Sequence, residues 1–219
     1  MAQADTLMTA TQLGARRYLR VKRLLDYVVS VPILIAVLPL MLCIAAAICI
    51  CSPGPALFVQ ERDGYFGRKF RVLKFRTMHL DADERLAACL AENPELAEEW
   101  ARCFKLRRDP RLIGLVGRFL RASSLDELPQ LINVLRGEMT LIGPRPFPDY
   151  HLAALDPGFR RLRATVMPGL TGLWQTQRRD NCVETQIELD SYYIRNVSFQ
   201  LDAVILYKTL LTVLTFRNV

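Results

Sequence analysis

The chain has only two histidines, His79 and His151, in 219 residues. That is too few for a histidine-based metal centre, and neither is given a role. Its six cysteines follow no metal-ligand spacing and no plausible disulfide framework. Cys43, Cys49 and Cys51 lie in an apolar stretch, where thiols behave as small hydrophobes, while Cys89, Cys103 and Cys182 are scattered. Reduced thiols in a cytoplasmic protein are the expected state. No RNA- or DNA-binding motif occurs, and the basic residues are spread along the chain. The net charge of +7 therefore points away from nucleic acid and toward anionic lipid or phosphorylated substrates. Formal charge is also missing from Tyr27 to Cys51, and no good small-x-small cleavage site follows that run. This argues against a cleaved signal peptide and for a retained membrane segment.

Tyr27–Cys51 is long enough to cross a bilayer as a helix. Arg16, Arg17, Arg20, Lys22 and Arg23 precede it, and Arg62, Arg68, Lys69, Arg71 and Lys74 follow it closely. Positive flanks favour the cytoplasmic side, so both ends of the segment are expected there. Pro39 divides the run into two pieces of about twelve residues, each roughly 18 Å long as helix, against a hydrocarbon half-thickness of about 15 Å. A helix broken at Pro39 would enter one leaflet and leave on the same side. A kinked helix that crosses serves the physics equally well, because prolines are tolerated in membrane spans.

The densest chemistry lies in Ser123–Pro146, SSLDELPQLINVLRGEMTLIGPRP. Asp126 and Glu127 open a helix whose start is pinned by Pro129, which fits comfortably only in a first turn. Ser124-x-x-Glu127 read alone is a capping box. Yet a helix N-terminus attracts anions, and two carboxylates there would repel a phosphate unless a cation such as Mg²⁺ mediates. The Gly143-Pro-Arg-Pro146 turn stiffly aims Arg145. A metal–phosphate site held by Asp126 and Glu127 accounts for these parts better than a plain cap.

Around this centre, Ala56–Gln60 and Phe70–Phe75 read as a hairpin joined through Gly64 and Gly67. Lys74 and Arg76 alternate on one face at its end, to bind phosphate, to touch lipid headgroups or to position the hairpin. Residues 80–104 form an acidic helical insertion that Asn93-Pro94 splits in two by capping. Leu96 and Trp100 within it would face the core or a partner, including a second copy of the chain. Leu112–Arg121 offers Arg118 and Arg121 to a phosphate, with an exposed helix-end arginine as the plainer alternative. In Met167–Gln175, Gly169 and Gly172 would let backbone approach a ligand closely, and Trp174 would stack or pack. The C-terminal stretch from Leu201 to Phe216 is too short for a comfortable span and reads as an interfacial helix.

Taken in order, the membrane run, Lys74-Phe-Arg-Thr-Met78, the Asp126-Glu127 block, Gly143–Pro146, Pro168–Gln175 and Glu188–Asn196 resemble the bacterial sugar transferase family. These are the monotopic polyprenyl-phosphate phosphoglycosyl transferases, and the resemblance runs from about Lys22 to Leu211. It implies a mostly helical α+β protein with a re-entrant membrane helix broken at Pro39, a short β-hairpin, a helical catalytic core and interfacial amphipathic helices. The implied layout is a basic arm over 1–21, the membrane helix over 22–52, a catalytic domain on the cytoplasmic face over 53–200 and an interfacial helix over 201–219. It further implies Asp126 as nucleophile, Glu127 as its partner in holding Mg²⁺, and Arg121, Arg145, Lys74 and Arg76 as phosphate ligands. Pro168, Gly169, Thr171, Gly172, Trp174 and Gln175 would form the nucleotide-side loop, and the tyrosines and Arg195 of Glu188–Asn196 part of the site wall. The implied partners are a UDP-sugar, with galactose or glucose favoured by the helical insertion, undecaprenyl phosphate and the inner-membrane bilayer. A homodimer is possible within that reading.

Two departures stand out. Leu38 occupies a position where the family has serine, and Met167 one where it has arginine, leaving Arg178 or Arg179 to replace that contact. These departures are the support for the alternative, a catalytically degenerate membrane scaffold in a glycan assembly system. A phosphatidyl-type lipid transferase would want several spans and a multi-aspartate helix, and neither occurs.

Overall fold

The computed structural model describes residues 2–103, 106, 109–148, 155–177 and 183–214, with backbone alone for 2–16, 102–103, 183 and 213–214. His151, Arg178, Arg179 and Cys182 lie outside the described residues, as do positions 104 and 215–219 at the ends of the expected insertion and interfacial helix.

Helix α1 runs from Ala2 to Cys51 and carries the apolar segment. It is long and apolar enough to cross a membrane by length and composition. The helix continues through both Pro32 and Pro39, so the expected break at Pro39 is not an interruption of secondary structure. A proline removes one N–H and crowds one carbonyl, which bends a helix without having to end it. One stripe of α1 packs against the rest of the molecule. Asp26, Ser30, Met41, Ile44 and Ile48 are buried, with Leu34 and Val37 partly buried between them. These recur every three or four residues, the signature of one helix face. The other faces leave Leu24, Val28, Ile35, Leu42 and Ile50 exposed.

Strands β1 (Leu57–Asp63) and β2 (Lys69–Phe75) form the expected antiparallel hairpin, pairing Leu57 with Phe75 and Asp63 with Lys69. Helices α2 (Ala82–Glu92) and α3 (Pro94–Cys103) divide at Asn93 as expected. The Asn93 amide donates back to the Cys89 carbonyl at 3.0 Å, closing α2. Trp100 faces inward onto the Arg111 guanidinium, 4.8 Å from the ring centre. Helix α4 (Gly114–Ser123) and a 3₁₀ turn over Leu125–Glu127 lead to α5 (Gln130–Arg136). Strand β3 (Thr140–Ile142) then pairs in parallel with β4 (Gly169–Thr171), with α6 (Pro157–Ala164) between them in sequence. Helices α7 (Leu173–Gln177), α8 (Val183–Arg195) and α9 (Phe199–Leu214) complete a mostly helical α+β fold.

Polar ties seat α1 on this domain. Asp26 accepts from Thr140 Oγ1 at 3.1 Å and the Leu141 N–H at 2.9 Å. Asp202 of α9 accepts from Tyr18 at 2.6 Å, Lys22 at 2.5 Å and Tyr193 at 2.9 Å. At the other end, Arg76 donates to Ser52 Oγ at 3.0 Å, the Ser52 carbonyl at 2.6 Å and the Pro55 carbonyl at 2.7 Å. Arg76, 4% exposed, is thus committed to the chain's own exit from the membrane helix and not to the phosphate site expected for it. Lys74 and Arg76 part company because β2 ends at Phe75.

Candidate active site

The site is assembled where α4, the 3₁₀ turn, β2 and the Gly143–Pro146 turn converge. Ser124 does not cap a helix here. It takes the left-handed conformation (φ 58°), donates its N–H to the Arg121 carbonyl at 3.3 Å, and makes no side-chain cap bond. The capping-box reading therefore fails, and Glu127 turns to cations instead. Its Oε1 accepts from Lys74 Nζ at 2.8 Å and from Arg145 Nη2 at 2.7 Å. Asn133 brings Lys74 within reach: its side chain bonds the Leu73 N–H at 3.0 Å and the Arg71 carbonyl at 2.7 Å, stapling α5 to β2.

The electrostatics split the pair. Burial pushes Asp126 up, the adjacent Glu127 charge adds to it, and the carboxyl sits at about 6 despite Lys74, Arg145 and Arg121. Burial also disfavours the Glu127 charge, but Arg145 and Lys74 together outweigh it and hold that carboxyl at about 2. Burial in turn lowers Lys74, with Arg145 repelling and Glu127 opposing. The result is one carboxylate fixed as an anion between two cations and a second, 9% exposed, whose ionisation favours a further positive charge.

Arg145 is held as the rigid turn predicts, through contacts the sequence did not reveal. The Gly143 N–H donates to the Thr171 carbonyl and the Gly169 N–H to the Pro144 carbonyl, both at 2.9 Å. Arg163 of α6 donates to the Arg145 carbonyl and pairs with buried Asp190 of α8. Arg62 of β1 donates to the Pro146 carbonyl at 3.2 Å. Arg121 donates to Thr77 Oγ1 at 3.3 Å and to Asp109 at 3.4 Å, and Asp109 is itself held by Arg111 at 2.7 Å. It also exerts an attraction on Asp126, so it stands at the rim of the site. Asp109, Arg163, Asp190 and Asn133 were missed by sequence reasoning. Only Asp109-Pro-Arg111 carried a local signal, while Arg163 and Asp190 lie 27 residues apart.

The Pro168–Gln175 segment packs closely behind the Gly143–Pro146 turn. Gly169 and Gly172 make a close approach, but to backbone: an added Cβ would lie 2.1 Å from Gly143 N and 2.3 Å from Gly143 O, respectively. Their smallness serves the β3–β4 pairing behind Arg145, and Thr171 Oγ1 meets Thr209 Oγ1 at 2.7 Å. Trp174 Nε1 and Gln175 Oε1 are buried without partners among the described residues, and Gln175 Nε2 donates to the Leu170 carbonyl at 3.1 Å. In Glu188–Asn196, Tyr193 is buried with its hydroxyl oxygen 3.0 Å from the Ile142 carbonyl, against β3, whereas Tyr192 and Arg195 are exposed.

An apolar helix laid along a mostly helical α+β domain, with a carboxylate pair among fixed cations beside it, is the arrangement of a membrane-associated protein. Comparison with known proteins makes this specific: the chain belongs to the bacterial sugar transferase family, whose model matches residues 17–216. It is 40% identical to an undecaprenyl-phosphate galactose phosphotransferase of Salmonella typhimurium, over 88% of this chain and 40% of that protein. It is 40% identical to the exopolysaccharide production protein ExoY of Sinorhizobium fredii, over 90% of this chain and 87% of the relative. A UDP-glucose:undecaprenyl-phosphate glucose-1-phosphate transferase of Caulobacter vibrioides is 41% identical over 90% of this chain and 71% of its own length. The chain thus spans about two fifths of the Salmonella relative and most of the Sinorhizobium one.

Proposed function

We propose that this chain transfers a sugar-1-phosphate, galactose or glucose, from a UDP-sugar to undecaprenyl phosphate at the cytoplasmic face of the bacterial inner membrane. The observation that carries the reading is the divided pair, with Glu127 locked by Lys74 and Arg145 while neighbouring Asp126 stays free of a salt bridge among the described residues. In the first step an Asp126 carboxylate oxygen attacks the sugar-linked phosphorus. The bond to the bridging oxygen breaks, and UMP leaves with that oxygen and its electrons. In the second, an oxygen of the lipid phosphate attacks the same phosphorus, releasing Asp126 as carboxylate and forming the diphosphate lipid. Lys74 and Arg145 would neutralise phosphate oxygens, Arg145 through its fork and Arg121 from the rim.

The donor set suits Mg²⁺: two neighbouring carboxylates, completed by substrate phosphates and water, are this ion's usual ligands. Bound by Asp126 and Glu127, it would supply charge neutralisation at the diphosphate and a better leaving group. Asp126, raised by burial and the adjacent Glu127 charge despite three nearby cations, supports that assignment.

The monotopic reading rests on the packed stripe of α1. Asp26 and Ile48 are separated by about 33 Å of helix, yet both lie against the same domain, at β3 and at the Phe75–Ile113–Leu120 cluster. A helix crossing the bilayer would carry that domain across with it. Re-entry at Pro39, with Leu38 in place of serine, is the proposed route back to one face, through a bend that leaves the helix uninterrupted.

The test is UMP release by the purified protein with a panel of UDP-sugars, polyprenol phosphate and Mg²⁺. Turnover by wild type that is lost in Asp126→Asn and in chelator supports the reading. Turnover that survives in Asp126→Asn removes this aspartate as nucleophile, and no turnover with any donor favours the scaffold.

A further inference from the structure

Gln130 opens α5, four residues after Asp126, and is 2% exposed. Its side-chain Nε2 is buried and has no hydrogen-bond partner among the described residues. A buried amide donor left unpaired is costly, and native structures almost always give such an atom a protein, water or ligand partner. Gln130 lines a cavity of about 10 Å³ together with Arg62, Lys74, Arg145 and the Gly169 backbone. That is room for a single oxygen atom.

The composition of the wall decides which oxygen. Three of its side chains are cations, Gln130 adds an amide, Val72, Pro146 and Leu170 are apolar, and no carboxylate lines it among the described residues. A water molecule wants acceptors as well as donors around it, whereas converging N–H groups with positive charge suit an anionic oxygen. The wall is also stiff. Lys74 and Arg145 are fixed on Glu127, and Arg62 is fixed between the Pro146 carbonyl and Gln60 Oε1 at 2.5 Å. Donors held rigidly where charge develops are the arrangement that stabilises a phosphoryl transition state without reorganisation.

We propose that this cavity seats one non-bridging oxygen of the sugar-linked phosphate, and that Gln130 Nε2 donates to that oxygen as Asp126 attacks. The proposal deepens the transferase reading and rests on it. It gives Gln130 a place in the transfer step that its burial alone would not.

The two non-bridging oxygens of that phosphate are distinguishable, so replacing each in turn by sulfur tests the contact. Wild type is expected to use one β-phosphorothioate diastereomer of its UDP-sugar poorly, because sulfur is too large for the cavity and a weaker acceptor. Gln130→Ala should lower kcat/KM on the ordinary donor by on the order of tenfold to a hundredfold, and should shrink the discrimination between diastereomers. Gln130→Glu, close in shape, should fold with unchanged or higher thermal stability beside its three cations and lose activity by repelling the phosphate. Full activity in Gln130→Ala, or a loss that leaves the diastereomer preference intact, overturns the proposal while the transferase reading stands. Absence of turnover by wild type with every UDP-sugar overturns both.

Discussion

As the proposed nucleophile, Asp126 carries opposing demands, because the burial that shapes a site also disfavours the charge it would need. Its carboxyl is raised to about 6 from an ordinary 3.8. In the metal-free protein the folded state therefore holds the proton longer than the unfolded state does. Stability falls as pH rises from about 3.8 to about 6, by at most about 3 kcal/mol, and the cost persists above that window. Asp126→Asn should consequently unfold at a higher temperature than wild type at pH 7.5 in chelator, match it near pH 4, and lose at least ~10³-fold in UMP release. Calorimetry with and without Mg²⁺ checks this, and the metal should close the gap between the two proteins. Glu127 has the opposite sign. Lowered to about 2 from 4.5, its stabilisation is present above pH 4.5 and lost as pH falls toward 2. Glu127→Gln should therefore destabilise at pH 7, where Asp126→Asn does not, as urea unfolding would show.

At the scale of elements, the Arg145 turn depends on β4, α6 and α8 more than on its own prolines. Gly169→Ala should cost roughly 3 kcal/mol or more, because its Cβ would meet the Gly143 backbone, which has no flexible end to yield. Soluble expression and thermal unfolding report it. Arg163→Met removes one partner of a buried ion pair and leaves Asp190 charged among apolar neighbours, a change worth about 3–5 kcal/mol. It also frees the Arg145 carbonyl, so variants rescued by osmolyte should show a raised KM for the donor. The hairpin and the division at Asn93-Pro94 were legible because turn residues and alternation are local. The capping box was not, since Ser124 takes a left-handed conformation and Lys74 and Arg145, each from a distant segment, hold Glu127 instead.

At the scale of the whole molecule, the apolar surface continues from α1 onto α9, where Val204, Leu206, Tyr207 and Leu210 are exposed while Leu201, Asp202 and Ile205 face inward. On the transferase reading proposed above, a bilayer covering both helices from one side would leave the carboxylate pair near its surface, where a soluble donor and a lipid acceptor could meet. In a cysteine-free background, cysteines placed within residues 2–10 and at Phe66 should both react with an impermeant maleimide from the cytoplasmic side alone. Labelling of the two from opposite sides would sink the one-sided topology.

What the sequence determined alone was the chemistry carried by contiguous residues: an uncharged run flanked by basic clusters, adjacent Asp126 and Glu127, Arg145 in a stiff turn, and Lys74 at a strand end. Each depends on spacing within one segment, which the backbone period converts directly into geometry. Tertiary structure decided which side chain each of these meets. It turned Arg76 to the exit of α1, gave Gly169 and Gly172 to Gly143, set Arg163 behind Arg145, and closed a one-oxygen cavity around Gln130. Those outcomes come from contacts between segments tens of residues apart, where packing and burial, not local propensity, settle the partner.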